Sequence, residues 1–181
     1  MIICIGIEKG GVGKSTTASN ITIYRAMQGK KVALIDADIQ STITDWYGVR
    51  SERKGIKDIP VFDVYTEKES IDEVAYGLSE EYDDVIIDVG GKADEVLGQS
   101  FFCANKILLP VRPSQADLWS IDRMVELFPT IENAHKNLSS IKIIFNQVRT
   151  NHFNKEHRLA KEYIKDHTQY VSKNFLYDRK A

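Results

Sequence analysis

The apolar run Ile2-Ile3-Cys4-Ile5-Gly6-Ile7, followed at once by Lys9-Gly10-Gly11-Val12-Gly13-Lys14-Ser15-Thr16, constrains this chain more than any other stretch. The run reads as a buried strand, and residues 15–28 have a helix-compatible composition that ends at Gly29, a C-cap residue. Strand, glycine loop and helix in that order gather backbone N–H groups around an anion at a helix N-terminus. Gly10, Gly11 and Gly13 open backbone conformations closed to residues with a Cβ. In the phosphate-loop pattern G-x-x-x-x-G-K-[ST], the Lys14 position reaches the β- and γ-phosphates of a nucleotide and the Ser15 hydroxyl ligates Mg²⁺. Here the frame starts one residue late, as K-G-G-V-G-K-S-T, so a second lysine, Lys9, stands just before the glycines. One lysine serves the phosphates of its own nucleotide. A second suggests charge delivered elsewhere, such as to a neighbouring subunit.

Strand-like runs at 31–36, 61–65, 85–88, 106–111 and 141–145 alternate with helix-like stretches at 42–47, 69–78, 94–103, from 115 onward, and 155–167. Ile121, Met124, Val125 and Phe128 fall at i, i+3, i+4 and i+7, one buried helical face, and Leu159, Tyr163 and Ile164 mark another. Such alternation with continuously apolar strands predicts a parallel sheet covered on both faces. The expected fold is one α/β domain over 1–181, doubly wound, with a mostly parallel sheet of about seven strands. The charged segment 50–58 reads as an exposed loop. A chain of 181 residues with 43% hydrophobic content is large enough for one sizeable core. No apolar run approaches the ~20 residues of a membrane span, and no basic-then-apolar leader precedes the first strand. Cys4 and Cys103 read as buried reduced thiols, which fits a cytosolic protein, and form no metal motif.

Ligands of such sheets bind at the carboxyl ends of strands, and two ends here are acidic. The second strand ends in Asp36-Ala37-Asp38-Ile39-Gln40. In an extended chain the two carboxylates point the same way. Asp38 would then polarise an attacking water and Asp36 would support Mg²⁺ through its water shell. The alternative is that both cap the following turn or helix. The fourth strand ends in Asp88-Val89-Gly90-Gly91, where an acidic residue holds a Mg²⁺-bound water and the glycines let the next loop pass close to the γ-phosphate.

Together these motifs resemble the ParA/MinD superfamily of deviant Walker A ATPases. Residues 9–16 resemble its Walker A loop with the signature lysine, 34–40 its D-x-D-x-Q motif, 84–91 its Walker B strand, and Leu108-Leu109-Pro110-Val111-Arg112-Pro113-Ser114 its P-x-x-P-S loop. Asn20 and Asn146, the latter ending the sixth strand, also match family positions. The likeness spans nearly the whole chain and is closest to the small plasmid-type ParA partition ATPases, which lack an N-terminal DNA-binding domain. It implies that Gly10, Gly11, Val12, Gly13, Lys14, Ser15 and Thr16 bind ATP. Ser15, Asp36 and Asp88 would hold Mg²⁺, and Lys9, Lys14 and Asp38 would serve hydrolysis. Asn146 would recognise adenine, with helix capping as its alternative. The resemblance further implies a homodimer in the ATP state, with Lys9 reaching the partner's phosphates. It also implies non-specific DNA binding and a ParB-like or cargo-adaptor protein that stimulates hydrolysis. The expected location is cytoplasmic and nucleoid-associated, with no membrane. Two departures stand out: Val89-Gly90-Gly91 replaces the common D-x-P-P. The chain also ends at Ala181, where members usually continue into another helix, as in a short member or a truncated product.

Charge agrees with that expectation. Residues 1–135 carry 14 Lys and Arg against 22 Asp and Glu, a balance of −8, whereas 136–181 carry 10 against 4, a balance of +6. His135, His152, His157 and His167 lie at the edge of that basic part or inside it. Such a split reads either as a polyanion-facing surface or as a solvated helix face with surplus lysines. Lys155, Arg158, Lys161, Lys165, Lys173, Arg179 and Lys180 are the DNA-contact candidates. Rival readings are a MinD-like membrane-associated positioner, a carboxysome or chemoreceptor positioner, an iron–sulfur reductase and an ATP-dependent ligase. The membrane reading needs a C-terminal amphipathic helix, and the tail offers only Phe175-Leu176-Tyr177. The reductase needs cluster cysteines that Cys4 and Cys103 match poorly.

Overall fold

The computed structural model describes residues 1–52, 60–91, 94–150 and 155–178. In β1, Ile2–Ile5, alternation sends Ile2 and Cys4 to one face of the sheet and Ile3 and Ile5 to the other, and all four are buried. The same double burial recurs in β2, Val32–Ala37, and β4, Asp84–Val89, which explains why these runs are apolar throughout. With β3, Asp63–Thr66, β5, Lys106–Val111, β6, Ser140–Arg149, and β7, Val171–Asp178, they form one seven-stranded sheet in the order β3-β2-β4-β1-β5-β6-β7. Every pairing is parallel. This is the expected doubly wound α/β architecture.

Helices α1, Lys14–Met27, and α2, Thr42–Ser51, pack Ala18 and Ile43 on the face that carries Ile3, Ile5 and Leu34. On the other face lie α3, Ile71–Glu81, α4, Asp94–Cys103, α5, Gln115–Val125, α6, Phe128–Ala134, and α7, Lys155–Asp166. Among the described residues no helix is long and apolar enough to cross a membrane.

Three elements differ from the sequence reading. The helix expected to run on through Phe128 breaks after Val125, because Pro129 fits only the first turn of a new helix. Phe128 nevertheless stays buried on the predicted face. The sixth strand runs to Arg149, so Asn146 lies inside it rather than at its end. The tail, in which no strand was placed, forms β7 and puts Phe175 against Phe145 with ring centroids 6.0 Å apart. Of the loop expected at 50–58, Arg50 and Ser51 instead end α2, and residues 53–58 fall outside the described residues.

Candidate functional site

The register pairs Asp36 with Asp88 on β2 and β4, and Ile5 with Asp88 on β1 and β4, so three strand ends meet at one place. There a cleft of about 610 Å³ opens, lined among others by Gly10, Gly13, Lys14, Ser15, Asp38 and Gly90. Helix α1 starts at Lys14, which brings the unpaired N–H groups of its first turn to this cleft. Gly13 precedes it at φ +89, and a Cβ there would run into the Asn146 amide nitrogen. Any other residue there would have to adopt a strained φ and displace the Asn146 side chain.

Asn146 and Gln147 clasp the loop from below. Asn146 Nδ2 donates to the Val12 carbonyl at 2.9 Å and Gln147 Nε2 to the Gly11 carbonyl at 3.3 Å. Neighbours on a regular strand face opposite ways. Here the β6–β7 register slips and Gln147 takes φ 56, so both side chains turn toward the loop. The Asn146 oxygen accepts from the Gln147 N–H at 2.9 Å, and both amide atoms are therefore engaged within the chain. The geometry thus makes Asn146 a brace of the loop rather than a helix cap, with one Nδ2 proton and one Oδ1 lone pair still unused.

Lys14 is buried and donates from Nζ to the Lys9 carbonyl at 2.8 Å. Burial lowers its pKa, and the charges of Asp88 and Asp38 push it back up. Asp88 is fully buried and neither oxygen makes a hydrogen bond of regular geometry. Burial pushes its pKa up to about 7; the nearby Ser15 hydroxyl and Lys14 pull down, while Asp36 and Asp38 push up. An unmet buried carboxylate beside a hydroxyl is a fitting seat for a hydrated cation.

Asp36 and Asp38 have different partners. Strand β2 ends at Ala37 and the chain turns from Asp38 onward, while both carboxylate charges act on Asp88. Both Asp36 oxygens are occupied: Oδ2 accepts from the Thr44 N–H and hydroxyl, each at 2.8 Å, and Oδ1 from the Asp38 N–H at 3.3 Å. Asp36 thereby anchors α2, as the capping alternative has it, and its charge also acts on Asp88. Asp38 lines the cleft and packs against Gly90, where an added Cβ would sit 2.9 Å from Asp38 Oδ1.

Lys9 stands half-exposed beside the loop, with Nζ 3.7 Å from Asp117 Oδ1. Asp117 is buried and also receives Arg112 Nε at 2.9 Å. The sequence reading stopped at Ser114 and missed Asp117. Its signal was the S-x-x-D spacing of a capping box, and the Asp117 N–H does donate to Ser114 Oγ at 3.2 Å. Thr44, the partner of Asp36, carried no signal. Of the DNA-contact candidates, Lys155, Arg158, Lys161 and Lys165 are exposed on α7 opposite its buried Ala160 and Tyr163, and Lys173 is exposed on β7. Arg179 and Lys180 lie outside the described residues.

Residues 3–181 match the family model of the CobQ/CobB/MinD/ParA nucleotide binding domain. The chain belongs to this family. Among its curated relatives, the chromosome-partitioning ATPase Soj of Thermus thermophilus is 51% identical over 51 residues, which is 28% of this chain and 20% of that protein. The maintenance of carboxysome distribution protein A of Halothiobacillus neapolitanus is 30% identical over 142 residues, 77% of this chain and 62% of that one. The matches thus span less than two thirds of these relatives' lengths. A plasmid partition protein from Borrelia burgdorferi, solved with AMPPNP bound, shares the fold at a TM-score of 0.72 and 22% identity, over 99% of this chain and 87% of that one. The ParA/MinD resemblance read from the motifs is therefore met at the level of family and fold.

Proposed function

We propose that this family member is a ParA-type ATPase whose ATP-bound form pairs with a second copy and binds DNA without sequence preference. Hydrolysis, stimulated by a ParB-like or cargo-adaptor partner, ends that state, and the protein works in the cytoplasm on the nucleoid. In this reading 1–181 acts as a single phosphate-loop ATPase domain. The observation that carries it is the pair of lysines on one loop: Lys14 buried inside the cleft, Lys9 half-exposed beside the loop. Residues 10–16 cradle the phosphates of ATP, with Lys14 moving from the Lys9 carbonyl to a phosphate oxygen. Ser15 and Asp88 hold Mg²⁺, which neutralises phosphate charge when bound. Asp38 orients the attacking water. Lys9 leaves Asp117 to reach the phosphates of the second copy.

The exposed basic stripe of α7 supports DNA binding through phosphate contacts. Phe175, Leu176 and Tyr177 lie in β7, so this cluster is not the face of a membrane-lying helix. The carboxysome-distribution relative, aligned over most of this chain, favours a second reading in which the carried cargo is not DNA.

The test measures DNA binding with ATP, with ADP and without nucleotide, across a salt series. Binding should require ATP and fall steeply with salt; indifference to both would reject the proposal. Lys14→Ala should abolish nucleotide binding. Lys9→Ala should still bind ATP yet neither dimerise nor hydrolyse it, and a Lys9→Ala protein that does both would remove the cross-subunit role.

A further inference from the structure

The turn that carries Asp38 into the cleft is held from outside by another element. Beyond β2 the chain folds tightly: the Ser41 N–H donates to the Asp38 carbonyl at 3.0 Å and the Gln40 N–H to Asp38 Oδ1 at 3.0 Å. Ser41 sits at φ 50, a left-handed conformation that costs energy for a residue with a side chain. Ile39 is 70% exposed, so little packing holds this turn down. Lys68, between β3 and α3, donates from Nζ to the Ser41 hydroxyl at 3.0 Å and approaches the Ile39 carbonyl at 3.4 Å.

The base of that lysine is itself fixed. Glu67 Oε1 accepts from the N–H groups of Lys68, Glu69 and Ser70 at 2.8, 2.9 and 3.4 Å. The Glu67 N–H donates to the Asp36 carbonyl at 3.3 Å. A rigid corner at the end of β3 thus projects one ammonium group onto the turn. Hydrogen bonds from a cation are stronger than neutral ones, so a single side chain can offset the strain at Ser41.

We propose that Lys68 is the positioning residue of the Asp38 turn: it holds Ile39 and Ser41 so that Asp38 stands at the cleft against Gly90. Lys68 is absent from the cleft lining and acts only through the turn. The catalytic consequence rests on the ATPase reading above, whereas the tether rests on the geometry alone.

Two measurements test it on the full chain with Lys68→Met, Lys68→Arg and Ser41→Ala. In nucleotide-free protein, amide hydrogen exchange over 36–47 should quicken in Lys68→Met, return toward the parent in Lys68→Arg, and stay unchanged elsewhere. In turnover, Lys68→Met should lower kcat by about 10- to 100-fold, the cost of a misplaced catalytic group. Its ADP affinity should stay within about threefold of the parent, since uniform binding is untouched. Ser41→Ala, which leaves the Ile39 contact, should show a smaller loss of the same kind, and the double variant should be no worse than Lys68→Met, which already removes both contacts. Parent-like exchange in Lys68→Met, or kcat and ADP affinity falling together, would overturn the proposal. A parent protein that does not hydrolyse ATP would overturn the ATPase reading, and the exchange data would then decide the tether.

Discussion

Burial at the end of β4 leaves the Asp88 carboxylate away from water with both oxygens unmet, and its pKa rises to about 7, against about 3.9 for an exposed aspartate. The folded state therefore keeps a proton that the unfolded chain has already lost. Stability from this group is complete below the unfolded pKa and is lost as pH rises through the folded one. Relative to the parent, Asp88→Asn should gain stability as pH rises from about 4 to about 7, read from urea melts without nucleotide. A difference that does not vary with pH would mean that Asp88 stays ionised. Mg²⁺ with nucleotide should protect the parent most at the alkaline end, where the carboxylate needs no deprotonation to meet a cation. Residue identity at this site was legible in the sequence because phosphate chemistry demands a few residue types at fixed spacing, as in Lys14, Ser15 and Asp88. The tie from Asp36 to Thr44 was not legible, because it depends on where β2 stops and α2 starts, which the residues themselves do not encode.

Helix α2 begins at Thr42, one turn after the β2 end, and is tied to the sheet through Thr44 rather than through a cap at its first residue. The Thr44 hydroxyl meets both Asp36 and the Thr66 hydroxyl, the latter at 3.1 Å. Thr44→Val keeps the shape and removes these bonds, so it should cost about 1–3 kcal/mol in denaturant melts. A neutral result would show that water or the Thr44 N–H satisfies Asp36 alone. The clasp of β6 makes a different forecast. Asn146→Ala deletes the Val12 bond and opens space beside Gly13, so nucleotide affinity should fall more than stability; equal affinity would remove the brace role. Strand and helix positions followed from apolar periodicity almost throughout. The exceptions share a cause: the α5–α6 break hangs on Pro129, and β7 hangs on a partner strand, neither of which periodicity reports.

At the scale of the molecule, the acidic N-terminal part builds the cleft and the basic C-terminal part places Lys155, Arg158, Lys161 and Lys165 on one solvent face of α7. The charge split therefore maps onto separate surfaces, which composition foretold only as an imbalance. DNA affinity that depends on this face should drop with salt at a slope that becomes shallower by about one for each lysine removed. The two tryptophans also occupy different surroundings. Trp46 lines a groove of about 360 Å³ beside Ser15, Thr16 and Asn20, whereas Trp119 is 62% exposed two residues beyond Asp117. The protein thereby carries two built-in optical reporters with separate duties. With Trp46→Phe, the remaining emission should shift to the blue only if the proposed pairing covers the exposed Trp119 on α5. With Trp119→Phe, it should answer to nucleotide even in dilute monomer. One spectrometer could then time the arrival of ATP and the meeting of two subunits as distinct events.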